Sequence, residues 1–349
     1  MTLEAIRERV RAASERRSPL RLRGGGSKDF YGGEPHGEML DLSRYAGIAS
    51  YEPTELVVTA RCGTPLAELE SELAARGQYL PFEPPHFAPG ATVGGCVAAG
   101  LSGPGRAAVG AVRDYVLGVK VIDGGGRLLA FGGQVMKNVA GYDVSRLFAG
   151  SLGTLGVIAE VSLKVLPAPQ AEMSLSLEMP LERALDACNR WAALPLPVSA
   201  SAWHDGELVV RLRGSEAGVQ SAARKIGGAP RDASAFWTSV RDQTHPFFAS
   251  PGSLWRASLP PTAAPLGLPC TELVEWGGAL RWVKGDVDSK LVREAARRSG
   301  GHATLFRGVE RGDGAFAPLS PVVMRLHRAL KSAFDPHGIF NPGRLYPGL

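Results

Sequence analysis

The chain has 349 residues, 44% of them apolar and 21% charged, with a formal net charge of +5 from 39 basic and 34 acidic side chains. One hydrophobic core rarely serves more than roughly 250 residues, so two domains are expected of an ordinary globular protein. No run of about 18 apolar residues occurs, and the first twenty residues mix charges of both signs, so neither a membrane-spanning helix nor a signal peptide is expected.

The basic residues are scattered. The densest group, Arg16, Arg17, Arg21 and Arg23, has no interleaved aromatics, which argues against nucleic acid as a partner. Cys62, Cys96, Cys188 and Cys270 form no CxxC pair, so a zinc or iron–sulfur site made by this chain is not expected, and isolated thiols fit a reducing cytoplasm. No metal site is expected elsewhere either, because the seven histidines stand apart along the chain.

In chain order, Leu3, Ile6 and Val10 share one face at helical spacing and predict an amphipathic N-terminal helix. The glycine-rich stretch RLRGGGSKDFYGG follows at 21–33, and a β-rich run lies at 55–60. Thr64 and Pro65 read as the cap and first turn of a helix that carries Leu66, Leu69 and Leu73 on one face and stops at Gly77. Residues 81–111 are nearly all small residues and proline, which predicts ordered loop and short helix wrapped around something. Two β-like runs joined by a glycine turn span 115–133, and a second glycine-rich stretch at 150–156 runs into a strand at 157–165. Pro167 and Pro169 mark a boundary. Beyond it LVVRLRG and GALRWVKG read as strands, while LERALDACNRWAAL, SEAGVQSAARKIGG and SKLVREAARRSGG read as amphipathic helices, together an α+β domain. The stretch 235–268 carries no readable pattern, and the tail is a helix followed by a proline-punctuated return.

The glycines carry the chemistry. Backbone N–H groups with no side chains in the way form an anion-binding concavity, and Ser27, Thr92, Ser102, Ser151 and Thr154 add hydroxyl donors while Lys28 adds charge. Any one such loop is ordinarily a tight turn. Three of them, at 24–33, 90–105 and 150–156, each beside a strand-like run, predict a large phosphate-bearing ligand. No GxxxxGK[ST] is present, and GGGSKDF does not join a clear strand to a helix, so neither a P-loop nor a Rossmann fingerprint holds it.

RGGGSKDFYG (23–32), FEPPHFAPGATVGGCVAAGLSGPGR (82–106), VLGVKVIDGGG (116–126), KNVAGYDVSRLFAGSLGTLGVIAEVSLKVLP (137–167) and LKSAFDPHGIFNPGRL (330–345) occur in this order. Together they resemble the vanillyl-alcohol-oxidase, or PCMH-type, FAD-binding flavoproteins, in the glycolate oxidase and D-lactate dehydrogenase branch and nearest its FAD-binding glycolate oxidase subunits. The resemblance implies an α+β fold: a two-subdomain PCMH-type FAD-binding domain at 1–169, a smaller cap-like α+β domain at 170–325, and a C-terminal helix and return segment at 326–349. It places the FAD diphosphate on Arg23, Gly24, Gly25, Gly26, Ser27 and Lys28. Pro89, Gly90, Ala91, Thr92, Gly94 and Gly95 then lie along the flavin and ribityl chain, continued by Ser102 and Gly103. Gly153, Gly156, Val157 and Ile158 cover the rest, Tyr142 and Asp143 keep the sheet closed nearby, and Asn341 returns to the flavin. For Tyr142, Asp143 and Asn341, ordinary turn chemistry is an equal alternative.

The family's covalent flavin linkages use a histidine or cysteine that this sequence does not place suitably, so non-covalent FAD is implied. The catalytic relatives' closely spaced histidines are missing, and no catalytic residue is assigned; Arg281 and Arg113 are candidates for a substrate carboxylate, with a structural role favoured for both. The resemblance implies an FAD-binding subunit of a glycolate or D-lactate oxidising complex, with a larger FAD-containing subunit and an iron–sulfur subunit as partners. Such a chain is cytoplasmic, attached to the inner membrane, if at all, through its partners. A stand-alone FAD-dependent 2-hydroxy acid dehydrogenase and a non-redox assembly subunit are the alternatives.

Overall fold

A computed structural model describes residues 1–133, 142–308 and 314–349; residues 137–141 of the quoted KNVAGYD motif lie outside them. The chain forms two compact units. The first is assembled from Met1–Leu101, Ala111–Ala168 and Pro318–Leu349, the second from Ser102–Gly110 and Pro169–Ala317.

In the first unit the N-terminal helix Leu3–Arg16 starts at Thr2, whose hydroxyl accepts from the Ala5 N–H at 3.2 Å, and ends at Arg17 in the left-handed region. Its Ile6, Val10 and Ala13 are buried against Leu20, Leu40, Ile122, Val157, Ile339 and Phe340. Strands Leu20–Arg23 and Glu38–Asp41 pair in parallel, so the glycine stretch is the crossover between them. A five-stranded antiparallel sheet runs in the order Ile48–Glu52, Val57–Arg61, Val157–Lys164, Val116–Ile122, Leu128–Gly132. Its last two strands are the glycine-linked pair expected from the sequence.

Thr64 does not cap the helix Leu66–Ala74. Pro65 occupies that position, and the Thr64 hydroxyl instead donates to the Arg61 carbonyl at 2.8 Å and accepts from the Gly47 N–H at 3.0 Å. The small-residue stretch forms loop and the short helix Val93–Ala99, which Thr92 caps by accepting from the Gly95 N–H at 3.3 Å. Gly94 lets this helix lie on the strand end, because a Cβ there would stand 2.6 Å from the Cys62 Cβ. The helix Pro321–Phe334 is followed by the return segment, whose Phe340 bridges back to Leu20.

The second unit is an antiparallel sheet of eight strands, in the order Ala229–Arg231, Ala171–Glu178, Glu207–Gly214, Val198–His204, Thr271–Glu275, Leu280–Gly285, Ser253–Ser258, His302–Arg307. Helices Leu181–Ala192, Glu216–Ile226 and Ser289–Arg298 bury the apolar faces expected of them. The unreadable stretch 235–268 holds the helix Ser234–Asp242, the turn Pro246–Ala249 and the strand Ser253–Ser258.

Candidate cofactor site

An open cavity of about 420 Å³, solvent at its mouth included, lies in the first unit where the two glycine loops, the helix Val93–Ala99 and the return segment meet. Arg23, Gly24, Thr92, Gly94, Gly95, Gly153, Gly156, Ile158 and Asn341 line it, joined by Leu22, Leu42, Cys62, Ala98 and Leu152. The first nine were expected from the sequence. The other five were not, because apolar core residues carry no signal of the space they border.

The first loop is built for an anion. The N–H groups of Gly24, Gly25, Gly26 and Ser27 donate to no acceptor among the described residues. Gly26 sits at φ +74°, which favours glycine, and its bare Cα faces the Arg23 guanidinium. Arg23 Nε and Arg21 Nη2 both bind the Asp29 carboxylate, at 2.8 and 2.7 Å, closing the base of the loop. Lys28 Nζ lies 3.3 Å from the Ser27 hydroxyl and over the Phe87 ring. Loop packing leaves no room for side chains: a Cβ on Gly24 would stand 2.3 Å from Thr92 Oγ1, and one on Gly25 would stand 1.6 Å from the Gly90 carbonyl oxygen. Pro89 and Gly90 are exposed here, whereas Ala91 is buried and its carbonyl accepts from the Leu66 N–H at 2.7 Å.

The second loop is fixed by its own hydroxyls. Ser151 Oγ donates to the Phe148 carbonyl at 2.9 Å, and Thr154 Oγ1 to the Ser151 carbonyl at 2.8 Å. Gly153, at φ +72°, leaves room for the Asn341 amide, whose nitrogen would stand 2.8 Å from a Cβ there. Asn341 itself adopts φ +41°, accepts from the Leu22 N–H at 2.8 Å and donates to the Leu152 carbonyl at 2.7 Å. It therefore both lines the cavity and ties the strand Leu20–Arg23 to the second loop. Val157 begins the adjoining strand with its side chain in the core rather than on the cavity.

The remaining expected residues lie elsewhere. Ser102 and Gly103 belong to the second unit, where the Gly103 carbonyl accepts from Trp276 Nε1 at 3.0 Å. Tyr142 is 98% exposed, and Asp143 binds the Ser145 hydroxyl at 2.6 Å and Arg146 Nε at 2.6 Å; neither lines the cavity. Hydrogen bonding by Ser145 and Arg146 holds the Asp143 carboxyl below its ordinary range despite partial burial. Arg281 is fully buried and donates to the carbonyls of Ala263, Ala264 and Gly278, a structural clamp. Two residues that sequence reading missed hold the loops: Lys331, which donates to the Thr154 carbonyl, and Arg344, which donates to the Lys28 carbonyl, both partners distant in sequence.

Residues 1–132 match the FAD binding domain family and residues 308–345 the C-terminal domain of FAD linked oxidases. Over 346 residues the chain is 49% identical to glycolate oxidase subunit GlcE of Escherichia coli (strain K12), covering 99% of this chain and 98% of that protein. The chain belongs to the GlcE family of FAD-linked oxidases. It is also 32% identical to glycolate oxidase subunit GlcD of Bacillus subtilis (strain 168), over 46% of this chain and 35% of that one. Among solved structures, alkyldihydroxyacetonephosphate synthase superposes with a TM-score of 0.68 at 16% identity, over 97% of this chain and 74% of that one. A xylooligosaccharide oxidase from Myceliophthora thermophila C1 superposes with a TM-score of 0.66 at 15% identity, over 100% of this chain and 90% of that one. These structural likenesses carry the fold, the α+β PCMH-type FAD-linked oxidase architecture expected from the sequence. FAD is the cofactor of this oxidoreductase family, and the site is compatible with it: Gly24 on the cavity wall begins a row of N–H groups with no acceptor among the described residues, suited to a diphosphate, and the wall has bare glycine backbone where side chains would intrude.

Proposed function

We propose that this GlcE-family chain is an FAD-binding subunit of a complex that oxidises glycolate or D-lactate and passes the electrons toward an iron–sulfur partner. The observation that carries the reading is the near full-length likeness to a glycolate oxidase subunit, at 49% identity. Held in the cavity, FAD would supply a two-electron acceptor for a 2-hydroxy acid, which becomes the 2-oxo acid by losing the C2 hydride to the flavin and its hydroxyl proton to a base, and would allow the electrons to leave singly. The chain's part is to hold and orient it. The N–H groups of Gly24, Gly25, Gly26 and Ser27 bind the diphosphate, with Arg23 and Lys28 supplying charge. Thr92, Gly94 and Gly95 keep the flavin side narrow and dry, with Pro89, Gly90 and Ala91 at its edge. Gly153, Gly156 and Ile158 flank the adenine side, and Asn341 closes the wall. Non-covalent binding is supported by the surroundings of the candidate nucleophiles: Cys62, on the cavity wall, and Cys96 are buried with their thiols pushed up to about 12, and His86 Nε2 is 2.8 Å from Glu70.

The absence of any CxxC pair supports a separate iron–sulfur subunit, and the family's subunit naming supports a larger FAD-containing partner. No helix among the described residues is long and apolar enough to cross a membrane. We place the chain in the cytoplasm, with its partners as its attachment, if any, to the inner membrane. A second reading, that substrate is oxidised on the larger subunit while this chain relays electrons or supports assembly, draws on Arg281: its guanidinium is spent on carbonyls instead of facing a substrate.

The deciding experiment is an absorption spectrum of the purified chain before and after anaerobic glycolate or D-lactate. Flavin bands that bleach make the chain a dehydrogenase in its own right. Bands that persist move the chemistry to a partner, and a colourless protein that takes up no added FAD overturns the cofactor assignment.

A further inference from the structure

The C-terminal helix and the return segment after it carry one cation each, Lys331 and Arg344, and each reaches the backbone of one glycine loop. Arg344, nearly buried, donates to the carbonyls of Gly33, Lys28 (3.2 Å) and Asp29 (3.0 Å), while its own carbonyl accepts from the Gly33 N–H at 2.8 Å. Lys331 donates to the carbonyls of Thr154 and Phe340 at 2.7 and 2.8 Å and pairs with the buried Asp335 at 2.7 Å. Asp335 in turn accepts from the N–H groups of Ile339 (3.0 Å) and Phe340 (2.8 Å), so the segment is folded around this ion pair.

A glycine-rich loop has more conformational freedom to lose than any other backbone, and a ligand that must order it binds more weakly for doing so. Both loops bordering the cavity have this composition, and each is held by one of these two cations. In the first loop the guanidinium draws the Lys28, Asp29 and Gly33 carbonyls to itself, while the N–H groups of residues 24–27 donate to no acceptor among the described residues.

We propose that Arg344 and Lys331 are positioning residues that set both loops in their cofactor-binding shape before FAD arrives. FAD retention then depends on two side chains that act only through the backbone they hold. The inference rests on the reading of the cavity as the FAD site.

The test uses the full chain. Arg344→Lys keeps the charge, but an ammonium group cannot reproduce a planar fork spread over three carbonyls. Lys331→Met, the harsher variant, removes the tie to Thr154. Apoprotein is titrated with FAD, the dissociation rate of the holoprotein is measured by flavin fluorescence, and apo and holo forms are melted. All six tryptophans lie between residues 191 and 282, in the second unit, so their emission reports that unit's integrity separately. Arg344→Lys is expected to bind FAD at least about tenfold more weakly, chiefly through faster dissociation, with native tryptophan emission and an apo melting temperature near native. An affinity within about threefold of native overturns the proposal, as does an apo form destabilised as much as the holo form, which makes the tie merely structural. If the native chain itself takes up no FAD, the cofactor reading fails, a result distinct from failure of the variant.

Discussion

Replacing Gly25 by alanine tests the cradle at its tightest point. The new Cβ would stand 1.6 Å from the Gly90 carbonyl oxygen and 2.5 Å from its carbon, both main-chain atoms with no rotamer to relieve the clash. Restoring ordinary contact moves one loop by roughly 1.5–2 Å, enough to take N–H donors out of hydrogen-bonding range of a phosphate oxygen. Each hydrogen bond to a charged acceptor is worth about 1.5–3 kcal/mol, so losing two costs about 3–6 kcal/mol, or roughly 100- to 10,000-fold in affinity. The fold itself loses little, because Gly25 is exposed and its N–H serves no protein acceptor among the described residues. The matched control is Gly77→Ala, at φ +66° with nothing within 4 Å of its Cβ; it costs about 1–2 kcal/mol of stability and leaves FAD affinity unchanged. Titration of apoprotein with FAD, followed by flavin fluorescence, reads both. A Gly25→Ala protein that binds FAD as tightly as the control refutes the assignment of this loop to the diphosphate.

Further predictions follow from the buried charges and thiols. Asp335→Asn takes the charge from a buried pair and leaves the Lys331 ammonium uncompensated; a loss of about 3–5 kcal/mol is expected in denaturant unfolding of the apoprotein, and a loss below about 1 kcal/mol contradicts it. Burial pushes the Cys62 and Cys96 thiols from 9.0 up to about 12, so their contribution to stability is complete below pH 9 and falls as pH rises toward 12. Each contributes a slope of about 1.4 kcal/mol per pH unit there, and Cys96→Ala should flatten the alkaline loss measured by urea unfolding between pH 9 and 10.5. Arg281→Met leaves the carbonyls of Ala263, Ala264 and Gly278 without this donor and a fully buried side chain replaced, so the tryptophan-detected melt of the second unit drops while FAD affinity stays native; lost hydroxy acid oxidation with an unchanged melt would instead make Arg281 a substrate ligand.

Much of the cavity was readable in the sequence because glycine is conspicuous where backbone must come close to something. Gly24, Gly94, Gly95, Gly153 and Gly156 all reach its wall. What was not readable depends on partners far away along the chain. Arg344 looks like any surface arginine until the carbonyls of Lys28 and Asp29, more than 300 residues earlier, are brought to it. Thr64 has the local pattern of a cap, yet tertiary contact with Gly47 gives its hydroxyl a different task. Tyr142 and Asp143 fit a motif by order alone, and order does not fix a side chain's direction.

The discontinuity of the first unit bears on how the protein is made. Its strand Leu20–Arg23 waits for Ile339, Phe340 and Asn341, which bond to Leu20 and Leu22 across nearly the whole length of the chain. Closing so long a loop is entropically costly and slow, so these contacts form late, whereas the stretch Pro169–Ala317 finds the other piece of its unit, Ser102–Gly110, already made. The glycines of the pocket are therefore made long before the segment that completes its wall, and a polypeptide broken off before Ile339 would carry those glycines without the Asn341 tie that holds them.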